Sequence, residues 1–248
     1  MPVSLRRTVG CLLVGITGCM ILFTLWFIYD WLTEDAGRTT SVADTYYTMD
    51  VSMIPDALDD PGLLKLLPPD TQRSPTKLDA TPVRLSADDF YAVARRISED
   101  WDNLYLNFVS FGLPCKYAPF GPQWATFGFI EKRGILSDTL EVNVNIDVLN
   151  AGAHLWAVEI VEPKFPWRRP RGSIDWAGIK VQMPEALEIA EAQGGQAFRE
   201  AVGNDCRIVG FLQRPVWAIH YLKAEESTAS LTFEIDVFTG EVKMQRPK

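Results

Sequence analysis

Apolar and polar positions fall into three successive patterns along the chain, and each predicts a different kind of element. Residues 8–29 carry no charge. At about 1.5 Å per residue this run reaches roughly 33 Å, enough to cross about 30 Å of bilayer hydrocarbon as a helix. Arg6 and Arg7 precede it, and Asp30, Glu34 and Asp35 follow. The positive-inside rule then places the N-terminus in the cytoplasm and the bulk of the chain outside, with residues 8–32 in contact with lipid. Trp26, Tyr29 and Trp31 gather at the far end, where amphipathic rings favour headgroups. Ile16-Thr17-Gly18-Cys19 also has the form of a lipoprotein box, but bulky residues follow Cys19 where a polar tether would be expected. A cleaved secretory signal would have a shorter apolar core.

In the second pattern, over 33–82, periodicity is lost. Pro55, Pro61, Pro68, Pro69, Pro75 and Pro82 exclude a long helix or a central strand, because proline lacks a donor and fixes φ. The stretch reads as an extended arm with a short strand over 45–54 and one helical turn over 62–67.

The third pattern is an order of elements that occurs twice. In 83–162, Ser86 with Asp89 resembles a capping box, and Phe90, Val93, Ala94, Ile97, Trp101 and Leu104 recur at three- and four-residue spacing. In 180–248, Pro184 suits a first helical position, Ala186, Ile189 and Ala190 form the inward stripe, and Gly194-Gly195 interrupts the helix before Phe198 and Val202. A strand follows each helix, over 105–111 and 207–212. Next come strands led by Pro122-Gln123-Trp124 and Pro215-Val216-Trp217, then charged turns. The third strands alternate strictly: Leu140, Val142, Val144, Ile146 and Val148 in one, Leu231, Phe233, Ile235 and Val237 in the other. Period two means one face on a core and one in water. A further strand is expected over 155–161, and 163–179 is a basic, proline-rich loop with a connecting strand. The expected fold is α+β, an N-terminal transmembrane helix followed by two repeats, each a helix laid on its own antiparallel sheet.

The second repeat carries a resemblance. An Ala-rich helix, a strand, Trp217-Ala218-Ile219, a charged turn and then Phe233-Glu234-Ile235-Asp236-Val237-Phe238-Thr239-Gly240-Glu241-Val242 resembles a PepSY domain, whose recurring ending is a strand with an Asp, then Thr-Gly-Glu and an apolar residue. The likeness covers 183–243, with a fainter copy over 83–150 in which Asn150-Ala151-Gly152 replaces Thr-Gly-Glu. The resemblance implies an extracytoplasmic module that binds or restrains a protein partner and brings no catalytic residues with it.

Charge and chemistry narrow this picture. With 24 Lys+Arg against 32 Asp+Glu, the chain lacks the basic balance that phosphate binding needs, so nucleic acid is not an expected partner. Cys11 and Cys19 lie in the apolar run. Cys115 and Cys206 lie beyond it, where two thiols can pair outside the cytoplasm or remain separate core residues. His154 and His220 belong to different repeats and show no metal-ligand spacing. The sequence holds no phosphate-binding loop, nucleophile elbow or His-Glu-x-x-His. No catalytic, cofactor or metal residues are therefore assigned. Lys164, Arg168, Arg169 and Arg171, with Trp167 among them, form a candidate contact for anionic headgroups or an acidic protein. The expected function is a non-enzymatic, membrane-anchored, extracytoplasmic protein-binding or regulatory module. The alternative is an accessory single-pass subunit of a respiratory or photosynthetic type of complex.

Overall fold

The structure, a computed structural model, describes residues 18–29, 39–48, 65–67, 84, 86–98, 103–131, 139–150, 152–160, 173–213, 215–224 and 230–245. Ten strands form one sheet: β1 (Thr39–Thr48), β2 (Lys65–Leu66), β3 (Leu104–Pro114), β4 (Trp124–Glu131), β5 (Thr139–Asp147), β6 (Gly152–Ile160), β7 (Cys206–Gln213), β8 (Val216–Lys223), β9 (Leu231–Asp236) and β10 (Val242–Gln245). The described helices are α1 (residues 18–29), α2 (Ala87–Ile97), α3 (Met183–Ala190) and α4 (Gln196–Ala201).

Every pairing in the sheet is antiparallel, in the order β10-β9-β8-β7-β3-β4-β5-β6-β1-β2. The expectation of one sheet per repeat is corrected here. Each half is a four-stranded meander whose first strand would otherwise present a free edge, and these two edges satisfy one another. β3 and β7 pair from Ser110↔Phe211 to Pro114↔Arg207, so the halves run outward from a common seam. The halves keep the same connectivity. Val148 donates its backbone N–H to Gln123 at 2.8 Å, and Val237 donates to Pro215 at 2.9 Å, at corresponding corners.

The alternating strands behave as their period demands. Val109, Phe111, Phe127, Phe129, Val142, Val144 and Ile146 are buried on one face in the first half, and Ile208, Trp217, Ile219, Tyr221, Phe233 and Ile235 in the second. Both helices lie on this face: α2 over β4 and β5, α3 over β8 and β9. A capping box between Ser86 and Asp89 starts α2, which buries Phe90, Val93, Ala94 and Ile97. Pro184 stands in the first turn of α3, whose buried residues are Met183, Ala186, Leu187 and Ala190.

The two tryptophan-led strands do not correspond as their sequences suggest. Trp124 lies opposite Asp147, while the residue opposite Asp236 is Val216. Trp217 therefore matches Ala125, and Trp124 stands on the other face of the sheet, against Gly112. A displacement of one residue in a strand exchanges its faces.

The N-terminal third also departs from expectation. β1 is a full strand that pairs along β6 from Thr39↔Ile160 to Thr48↔Gly152, not a short strand in an arm. Lys65–Leu66 pairs with Tyr47 and Thr48 as a strand where a helical turn was expected. Among the described residues no helix is long and apolar enough to cross a membrane. Of the expected span, residues 18–29 are described and helical. The transmembrane helix in the expected fold is thereby corrected; residues 8–17 and 30–32 of the expected segment lie outside the described residues.

Candidate functional site: a cleft across the seam

Cys115 and Cys206 are joined as a disulfide, Cα to Cα 5.2 Å. Cys115 directly follows the last residue of β3 and Cys206 begins β7, so the bond closes one end of the seam. Both sulfur-bearing residues are buried, with Cys115 fully enclosed. From Cys115 the chain runs through a 3-10 turn (Cys115–Phe120). This turn faces the helical layer of the second half across a cleft of about 350 Å³. Ala118, Pro119 and Phe120 form one wall, and Pro184, Leu187 and Ala192 belong to the other. Phe120 is 41% exposed, an aromatic ring left at the rim.

The polar groups of the cleft are held by one another. At the mouth, the Arg84 guanidinium meets Glu188 Oε1 at 2.7 Å, both side chains mostly in water. At the base, Arg199 Nε donates to Glu191 Oε2 at 2.7 Å, with the two side chains only 13% and 15% exposed. Tyr221 donates its hydroxyl to Glu191 Oε1 at 2.8 Å, and Arg199 Nη1 donates to Asn204 Oδ1 at 2.8 Å. Burial, and after it the Glu191 carboxylate, holds the Tyr221 hydroxyl above its ordinary value and therefore protonated. A protonated phenol can donate to Glu191, and it is no base.

The helix is built to admit this phenol. Between α3 and α4 the backbone widens over Glu191–Gly195 into a π-type turn, with Gly194 at φ 125, a conformation L side chains rarely adopt. A Cβ at Gly195 would stand 2.1 Å from the Tyr221 hydroxyl oxygen. Gly194 thus permits the turn, and Gly195 gives the ring room to reach Glu191 through the helix wall. The sequence predicts an interruption at Gly194-Gly195, and the structure shows its purpose: a buried side chain enters there.

The remaining candidate residues are dispersed. Lys164, Trp167, Arg168, Arg169 and Arg171 lie outside the described residues. His154 bonds to Asp44 of β1 and stacks on Tyr46, ring centroids 4.0 Å apart. His220 sits on the face away from the helices, Nδ1 3.0 Å from Thr232 Oγ1, with its pKa lowered by burial and partly restored by Glu234. Among the described residues no group of three or more His, Cys, Asp or Glu could hold a metal ion. Arg84, Phe120, Glu191, Arg199 and Tyr221 were not singled out in the sequence. Only the glycine pair marked the place, because the arginines come from distant points of the chain.

Searches against protein-family models and against curated proteins return no match to this chain.

Proposed function

We propose that the chain is an extracytoplasmic protein-binding module of PepSY-like character, held against a membrane by lipid contact of its N-terminal apolar residues. The observation that carries the reading is the cleft across the disulfide-closed seam. Its walls are apolar, its charged groups are already bonded within the protein, and its rim presents Phe120 to solvent. Such a surface gains free energy by covering apolar area, which is what a protein partner offers. A bonded cysteine pair belongs to an oxidising compartment, which supports the location. The Asp236 turn supports the PepSY-like character. Asp236 Oδ1 accepts from the backbone N–H of Phe238 and Thr239 and from the Thr239 hydroxyl, and Gly240 takes φ 73, so Asp-x-x-Thr-Gly is a self-bonded turn.

The large side chains of α1 are 43–68% exposed, a costly surface in water and a suitable one in lipid. The same exposure favours a second reading, an accessory subunit packed against other membrane proteins through α1.

A photoreactive phenylalanine analogue at Phe120 is expected to capture one discrete protein in intact cells, while the same analogue at Trp156, on the helix-free face, captures none. An impermeant amine reagent should label the chain in intact cells. Labelling that appears only after lysis, or equal capture from both positions, would overturn the proposal.

A further inference from the structure

The two halves dispose differently of one equivalent place. In the first half the flank of α2 is filled by the chain itself. Ile174 donates its backbone N–H to Leu106 of β3 at 2.6 Å, and two residues later Trp176 is inserted, only 7% exposed. Its ring stacks on Tyr91 at 5.1 Å and meets Phe127 edge-on at 5.6 Å, and its indole N–H donates to Asp88 at 3.0 Å. When α2 and α3 are matched from their N-caps, Ser86 and Gln182, Asp88 corresponds to Pro184 and Tyr91 to Leu187. Pro184 and Leu187 line the cleft. The cleft is therefore the second half's counterpart of the Trp176 site, with the turn after Cys115 as its far wall.

We infer that the cleft is a pocket for one uncharged aromatic side chain, carried on an extended segment of a partner protein. The inference rests on the binding-module reading and names the chemistry of its ligand. Charge supports it: two guanidinium groups, Arg84 and Arg199, are matched by two carboxylates, Glu188 and Glu191, so the site offers no unbalanced charge for an ionic ligand. Shape supports it as well. A volume of about 350 Å³ flanked by Leu187, Pro119 and the Phe120 ring accommodates an indole or phenol with part of its backbone. Glu188, 64% exposed, is one helical turn from the position at which Asp88 accepts the Trp176 indole, and supplies an acceptor for a ring N–H or O–H.

The chain's own segment provides the probe. A synthetic peptide of residues 171–180, Arg-Gly-Ser-Ile-Asp-Trp-Ala-Gly-Ile-Lys, is titrated into the full chain in detergent while backbone amide signals are followed by NMR. Gly121, Glu188 and Ala192 are expected to shift with a Kd below roughly 1 mM. A peptide with Trp176→Ala should bind at least about tenfold more weakly. Ala192→Trp, at an exposed position, should abolish the shifts without lowering the melting temperature. Phe120→Ala, at the rim, provides a second variant and should weaken binding several-fold. Equal binding of both peptides, no shifts at about 1 mM peptide, or binding indifferent to both variants overturns the inference. Should the peptide fail while the analogue at Phe120 still captures a protein, the aromatic pocket falls and the binding module stands. Failure of both removes both.

Discussion

The two halves of the sheet share a connectivity and differ in closure. In the first, β1 covers the outer edge along the whole of β6, and Trp176 covers the flank of an unbroken, capped helix. In the second, the outermost strand is the four-residue β10, the helix is widened around a buried tyrosine, and its flank opens into a cleft. Among the described residues, one half is finished by its own chain, and the other has the equivalent surfaces uncovered. A duplicated scaffold can thus divide its duties: one copy closes the sheet, and the other would receive the proposed partner.

Three measurements bear on this contrast. The largest effect is expected from Trp176→Ala, which would give the first half the vacancy of the second. Loss of a buried ring with its hydrogen bond should cost about 3–5 kcal/mol in denaturant unfolding. A loss below about 1 kcal/mol would mean that the first half does not need its plug. Next in size is Gly195→Ala. A methyl group at 2.1 Å from the Tyr221 oxygen forces ring or helix to move, for an expected loss of about 1–3 kcal/mol. Tyr221→Phe in the same chain should recover part of that loss, whereas simple additivity would show that the widened turn is not shaped by the phenol. The smallest effect concerns His220. Its folded pKa lies below the ordinary 6.5 because burial disfavours the charged ring. Its contribution is therefore complete above about pH 6.5 and is lost as pH falls from there through the lowered folded value. His220→Gln should flatten the unfolding free energy over that interval, with no change near pH 8. An unchanged slope would assign the dependence elsewhere.

Strands were legible in the sequence wherever one face was wet and the other dry. Leu140 to Val148 and Leu231 to Val237 show that alternation, and both lie in the sheet except for the last residue of each, Val148 and Val237, which begins the turn. The joining of the repeats was not legible, because pairing across a seam uses backbone groups that every residue carries. The offset between Trp124 and Trp217 had the same origin: similar side chains suggested one register, and the ladder set another. Cys115 and Cys206 read equally as a disulfide outside the cytoplasm or as two separate core thiols, and the structure bonds them. The cleft was least visible, since Arg84, Phe120 and Arg199 come from separate parts of the chain and acquire meaning only by proximity.

Resistance to pulling should depend on where the load is applied. The seam between the halves is a ladder of five residue pairs with a covalent rung beyond only one end, where Pro114 faces Arg207. Traction entering from the Ser110↔Phe211 end meets hydrogen bonds that can open one at a time. Traction from the opposite end meets the sulfur bridge first, and the whole ladder must then yield together or not at all. A partner seated beside Cys115 would therefore hold the stiff end of the joint, and the compliant end would be left to give.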